Sequence, residues 1–181
     1  VLNQDAFEIL VKTCEEVGNE LGFECGAGID VASSSLWNPK DKAYVYEREG
    51  KKLDTGEQTE FILDAIKKYR LVYVEDPLRE EDFEGFSEIT KKVKNCLICG
   101  DDLFATNHER LSRGVRIGAA NAAIIKVNQV GTLTDASETI EVARRSGYVP
   151  VMSHRSGDTC DWHITHLAVS FRCPVIKTGV V

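Results

Sequence analysis

The sequence predicts an α/β protein whose parallel sheet curls as part of a (β/α)8 barrel, with about six of the βα units present. Three observations carry this. Strand-like apolar runs alternate with segments of helical period along the whole chain, the pattern of a parallel sheet with crossover helices. Strands end in charged groups at Asp30, Glu75, Asp101, His154-Arg155 and Lys177, and one further strand carries Lys126. Polar groups delivered by the C-terminal ends of many strands fit a barrel mouth, whereas a doubly wound sheet gathers its site at one switch point. Six strands do not close an eight-stranded barrel, so the missing pair is expected upstream of Val1.

The elements follow in order. Residues 5–21 read as a helix with Phe7, Leu10, Val11, Cys14 and Val17 on one face, stopped by Gly22. Residues 23–31 form the first strand, ending in Gly28-Ile29-Asp30. Residues 33–55 are irregular, with a ribbon at 42–48. Residues 57–69 are a helix, apolar at Phe61, Ile62, Ala65 and Ile66. The next strand starts at Leu71 and must end by Asp76, because Pro77 restricts the residue before it and has no N–H for a ladder. Helix 80–93, strand 96–100 and helix 108–118 come next. The lysine strand is 122–128. Helix 134–146 stops at Gly147. Strand 149–153, helix 161–171 and strand 174–178 complete the chain.

With 181 residues the chain is long enough for one domain with a sizeable core, here a single partial barrel domain over 1–181. A net charge of −7 argues against a nucleic-acid partner. No apolar run reaches the ~18 residues of a membrane span, and no signal-peptide pattern is present at the start. The first residue is Val and a helical pattern begins almost at once, so the chain is expected to be cut from a longer one. Six cysteines scattered through helices and strands indicate a reduced, cytoplasmic protein. Cys96-Leu97-Ile98-Cys99 has C-x-x-C spacing, but no second pair lies near, so the two are read as strand cysteines on opposite faces.

The chemistry-bearing residues form three groups. Asp30, Glu75 and Asp101 would converge at a barrel mouth, and three hard oxygen ligands suit Mg²⁺. Taken singly, each acid would instead cap the following helix. Lys126 sits in an apolar run, where burial and nearby cations favour the neutral amine that a base needs. It equally suits the role of counter-ion to the acids. Ser153-His154-Arg155-Ser156-Gly157, with Lys177 beyond, offers a guanidinium, a hydroxyl and exposed backbone for a phosphate or carboxylate. Ser156 or Asp158 could alternatively be a helix N-cap there. Gly26-Ala27-Gly28 lacks the third glycine of a dinucleotide fingerprint. His163 and His166 are helix-spaced but have no third ligand in their segment, so zinc is not expected.

Val74-Glu75-Asp76-Pro77, Gly100-Asp101-Asp102-Leu103-Phe104-Ala105-Thr106-Asn107, Ile125-Lys126-Val127-Asn128-Gln129-Val130-Gly131-Thr132, Ser153-His154-Arg155-Ser156-Gly157 and Ile176-Lys177-Thr178-Gly179 together resemble enolase, in that family's order and spacing. The resemblance covers essentially the whole chain. It implies a TIM-barrel-like C-terminal domain and an Mg²⁺-dependent lyase interconverting 2-phosphoglycerate and phosphoenolpyruvate in glycolysis and gluconeogenesis. By the resemblance, Asp30, Glu75 and Asp101 hold the first Mg²⁺. Lys126 takes the C2 proton, and the enediolate formed is stabilised by the metal. Arg155 and Ser156 bind the phosphate, His154 and Lys177 contact the substrate, and Lys177 reaches its carboxylate. The family is commonly a cytoplasmic homodimer acting on a small phosphorylated substrate, with no nucleic-acid or membrane partner.

The chain departs from the family at Ser33-Ser34-Ser35-Leu36-Trp37, where Ser35 replaces an acid, and at Asp158-Thr159-Cys160-Asp161 with His163 and His166 beyond. The family's general acid, a glutamate on an earlier strand, is not in this chain. Nor are the N-terminal capping domain, the loop serine of the second Mg²⁺ and the tail after the last strand. The 181 residues alone are therefore expected to be inactive. Two alternatives stand beside this reading. One is another lyase or racemase of the same superfamily acting on a different carboxylate. The other is an inactive barrel piece serving as a binding or structural module.

Overall fold

A computed structural model describes residues 2–179. The elements are α1 (Asn3–Leu21), β1 (Gly28–Asp30), β2 (Trp37–Asn38), β3 (Ala43–Tyr46), β4 (Lys51–Leu53), α2 (Thr55–Tyr69), β5 (Tyr73–Glu75) and α3 (Phe83–Lys92). They continue as β6 (Leu97–Gly100), α4 (His108–Ile117), β7 (Ala122–Ile125), α5 (Val127–Val130), α6 (Leu133–Arg145), β8 (Val149–Ser153), α7 (His163–Ser170) and β9 (Val175–Lys177). Strands β1, β5, β6, β7, β8 and β9 form one sheet in that order, with every neighbouring pair parallel. Strands β2, β3 and β4 make a separate antiparallel ribbon.

The six-stranded sheet is curled into part of a barrel. Strands pack about 4.8 Å apart, so the outer two of six would lie about 24 Å apart if the sheet were flat. Instead Lys177 on β9 reaches Asp30 on β1 at 2.9 Å, which only strong curvature permits.

The two faces of the sheet alternate by residue. Val74, Ile98 and Ala123 point outward into a core with Phe83, Phe86, Ile89, Phe104 and Leu111, and Ile125 and Met152 do the same against α6 and α7. Cys99, Ala122, Ile124 and Val151 point inward and meet Tyr73, Leu97, Val149 and Val175. Cys96 belongs to the outer core and Cys99 to the inner one, so the C-x-x-C pair does lie on opposite faces, and both thiols are free.

Most boundaries sit within a few residues of expectation, and the departures have local causes. Helix α2 starts earlier because Asp54 and Glu57 form a capping box, each side chain taking the other's backbone N–H at 2.9 Å. Helix α3 starts later, where Asp82 accepts the Gly85 N–H. The first strand is only Gly28–Asp30, because β1 has a sheet neighbour on one side alone. The lysine strand ends at Ile125. The Lys126 N–H goes to the Thr106 hydroxyl at 2.9 Å, and the chain turns at once into the short α5. None of the described helices is long and apolar enough to cross a membrane.

Candidate active site

Period-two alternation places the site. The inward residues of the strands continue upward as Gly28 to Asp30, Tyr73 to Glu75, Cys99 to Asp101, Ile124 to Lys126, Val151 to Ser153 and Val175 to Lys177. The lower layer of the barrel interior is thus largely apolar and its rim polar. Each rim residue stands two positions after an inward residue on its own strand.

The rim residues pair by charge. The Lys177 ammonium donates to Asp30 Oδ2 at 2.9 Å and to Glu75 Oε1 at 2.8 Å. The Glu75 side chain is 1% exposed, and its Oε2 accepts from the Tyr73 hydroxyl at 2.6 Å. Burial raises the Glu75 carboxyl above its ordinary value, the bonds from Lys177 and Tyr73 oppose this, and the nearby Asp30 charge adds to it. Burial works against the charge on Lys177, but its bonds to Glu75 and Asp30 outweigh that and hold the ammonium above the usual lysine range.

Lys126 forms an ion pair with Asp101 Oδ2, and both side chains are largely buried. The other Asp101 oxygen, Oδ1, is buried without a hydrogen-bond partner. Asp76 supports this rim from outside. Its Oδ1 accepts the Asp101 N–H and its Oδ2 the Asp102 N–H, both at 2.9 Å. These two bonds hold Asp76 at φ 42°, a conformation uncommon for a non-glycine residue and unusual before proline. Burial raises its carboxyl well above the ordinary range, against the two amide bonds.

Of the sequence-derived residues, the fold brings Asp30, Glu75 and Lys177 into one cluster and Asp101 and Lys126 into another. Among the described residues, the acids whose oxygens lie within 4.8 Å of one another are Asp76, Asp101 and Asp102. Asp30 and Glu75 stand outside this trio. Asp76 has both oxygens engaged by backbone amides, which suits it to shaping the loop rather than to ligation. His154, Arg155 and Ser156 follow β8. The His154 N–H donates to the Lys177 carbonyl at 3.1 Å, and the Arg155 N–H to Asp158 Oδ2 at 3.2 Å. Gly157, at φ 79°, turns this loop, and Ser156 is exposed. No hydrogen bond between the described residues ties these three side chains to the acids.

The donor set fits a hard divalent cation. It consists of carboxylates, and Asp101 Oδ1 is a buried acceptor with an unused lone pair.

Three supporting residues escaped the sequence reading. Tyr73 lies two positions before Glu75 on the same face, so strand parity could have flagged it. Asp76 was read only as a strand end. Thr106 is fully buried at φ 52°, donates to Gln129 Oε1 at 2.8 Å, and accepts the Lys126 N–H. Its carbonyl accepts from the Thr139 hydroxyl at 2.8 Å. No local pattern announces that role.

Comparison with known proteins adds the following. The family described as "Enolase, C-terminal TIM barrel domain" matches residues 2–181. The chain is similar to a protein named "Enolase" from Methanosphaera stadtmanae, 54% identical over 178 residues, which is 98% of this chain and 43% of the relative. A second "Enolase", from Methanothermobacter thermautotrophicus, is 53% identical over 180 residues, covering 99% and 43%. A third, from Methanocorpusculum labreanum, is 50% identical over 183 residues, covering 100% and 45%. The chain therefore spans less than half the length of these curated relatives.

Proposed function

We propose, since this chain belongs to the enolase family as its C-terminal TIM barrel domain, that the full-length protein carrying it is a magnesium-dependent lyase. It interconverts 2-phosphoglycerate and phosphoenolpyruvate. The observation that supports this best is the rim itself, where Lys126 pairs with Asp101 while Lys177 bridges Asp30 and Glu75.

The ion pair with Asp101 belongs to the protonated, resting amine; in its neutral form Lys126 Nζ would accept the proton from C2 of the substrate, and the C–H electron pair would pass into the adjacent carboxylate. The ammonium so formed lies beside Asp101, which compensates its charge as it develops. Lys177 and His154 orient the substrate, with Lys177 on its carboxylate. Arg155 and Ser156 take the phosphate from the exposed loop after β8, where a guanidinium makes charge-assisted bonds to its oxygens. Asp30, Glu75 and Asp101 would hold the magnesium ion, which would supply positive charge against the developing negative charge of the substrate carboxylate. The proton for the departing hydroxide comes from a residue outside these strands.

The test uses the full-length protein. Lys126→Ala should abolish phosphoenolpyruvate formation while Mg²⁺ still binds. Retained turnover would remove Lys126 from the role of base. Turnover of a different carboxylate, with none of 2-phosphoglycerate, would move the protein to another reaction of the superfamily. The same reading places the enzyme in the cytoplasm as a homodimer, and expects no activity from the 181 residues alone.

A further inference from the structure

We propose that Tyr73 is a positioning residue for Glu75: its hydroxyl clamps Oε2, so that Oε1 is the oxygen presented to a cation at the rim. This deepens the reading above and rests on Glu75 being a metal ligand.

The geometry begins with strand parity. Tyr73 and Glu75 share the inward face of β5, one layer apart. The phenol rises from the apolar layer and its O–H meets Oε2 at 2.6 Å, a short bond of the kind made to a charged acceptor. A phenol has one proton to give, and here the carboxylate receives it.

The neighbouring strand makes room for this arrangement. Gly28 lies opposite Tyr73 in the ladder between β1 and β5. A Cβ at Gly28 would fall 3.0 Å from Tyr73 Cβ and 3.5 Å from Cδ1. An added Cβ there would crowd the Tyr73 Cβ and meet the ring at ordinary contact distance.

The two oxygens of Glu75 are consequently not equivalent. Oε2 faces down to the phenol. Oε1 faces the rim, where the Lys177 ammonium already sits at 2.8 Å. The fold thus delivers positive charge to Oε1 and a neutral donor to Oε2. With the side chain 1% exposed, water does not replace the phenol.

Magnesium titration by calorimetry into the full-length protein tests this, with wild type, Tyr73→Phe, Gly28→Ala and Glu75→Gln compared. Loss of a hydrogen bond that orients a ligand costs about 10–100-fold in metal affinity. Tyr73→Phe should weaken Mg²⁺ by that factor. Gly28→Ala, which crowds the Tyr73 Cβ but keeps the hydroxyl, should weaken it less. A purely structural tyrosine would lower the unfolding midpoint in chelator and leave the affinity unchanged. Affinity within twofold of wild type in both Tyr73→Phe and Gly28→Ala, with a large loss in Glu75→Gln, overturns the clamp and leaves the metal reading intact. No loss in Glu75→Gln overturns both.

Discussion

Lys177 donates to Asp30 across 2.9 Å, joining the last strand of the sheet to the first over 147 residues of chain. The same ammonium holds the buried Glu75. Removing it leaves two carboxylates facing one another, one of them without access to water. Lys177→Met is expected to cost about 1–3 kcal/mol near neutral pH, less than a fully buried pair because Asp30 is part-exposed. Urea unfolding measures this, and equal midpoints would show that the bridge contributes nothing.

The pH dependence of that bridge has a definite sign. The Lys177 ammonium is held above the ordinary lysine value of 10.5. A raised cation contributes stability that is complete below its unfolded value and is lost as pH climbs through the folded one. Wild type should therefore lose stability above pH 10.5 more steeply than Lys177→Met. Parallel alkaline limbs in the two unfolding series would contradict this.

Thr106→Val removes the hydroxyl that accepts the Lys126 N–H and donates to Gln129. In the full-length protein Lys126, proposed above as the base, then loses its backbone anchor. The expected result is a fall in kcat of about tenfold with KM little changed, and a stability loss of about 1–3 kcal/mol from the unpaired buried groups. Thr106→Ser should restore both. A change confined to KM would place the role of Thr106 elsewhere.

Gly114 faces the Phe104 ring so closely that an added Cβ would lie 2.5 Å from Cε1. Phe104 is fully buried among Phe83, Tyr148 and Leu111 and cannot swing into open space. Gly114→Ala should destabilise by about 1–3 kcal/mol through overpacking, and Phe104→Leu in the same chain should recover part of it. Additive losses in the double-mutant cycle would rule out direct contact as the cause.

Thiol labelling reads burial directly. Cys25 and Cys160 are exposed, while Cys96 and Cys99 are buried. Burial pushes the Cys96 thiol up to about 12 and Cys99 well above its ordinary value. Native protein should label quickly at Cys25 and Cys160, with Cys96 and Cys99 reacting only on unfolding. Fast labelling at Cys99 would mean that the interior of the barrel is open to reagent.

The parts of this molecule legible in its sequence are those governed by short-range rules. Strand ends located Asp30, Glu75, Asp101 and Lys177, Lys126 was expected within its strand and instead follows it, and the six parallel strands run as expected. Helix starts were displaced where side-chain caps at Asp54 and Asp82 decide them. The turn after Ile125 was missed because its cause, the Thr106 hydroxyl, lies 20 residues away. The double grip of Asp76 on Asp101 and Asp102 was missed for the same reason, since it joins loops 25 and 26 residues apart. Such bonds are set by the finished sheet and leave no periodic trace.

The closure of the rim by Lys177 also has a kinetic consequence. Contacts between neighbouring strands form over modest loops, but the bond between β1 and β9 spans 147 residues and requires the whole curl to be in place. Such distant contacts form late and slow the search for the native state. During refolding, helix content should return before the Lys177–Asp30 bridge forms, the bridge reporting the docking of β9.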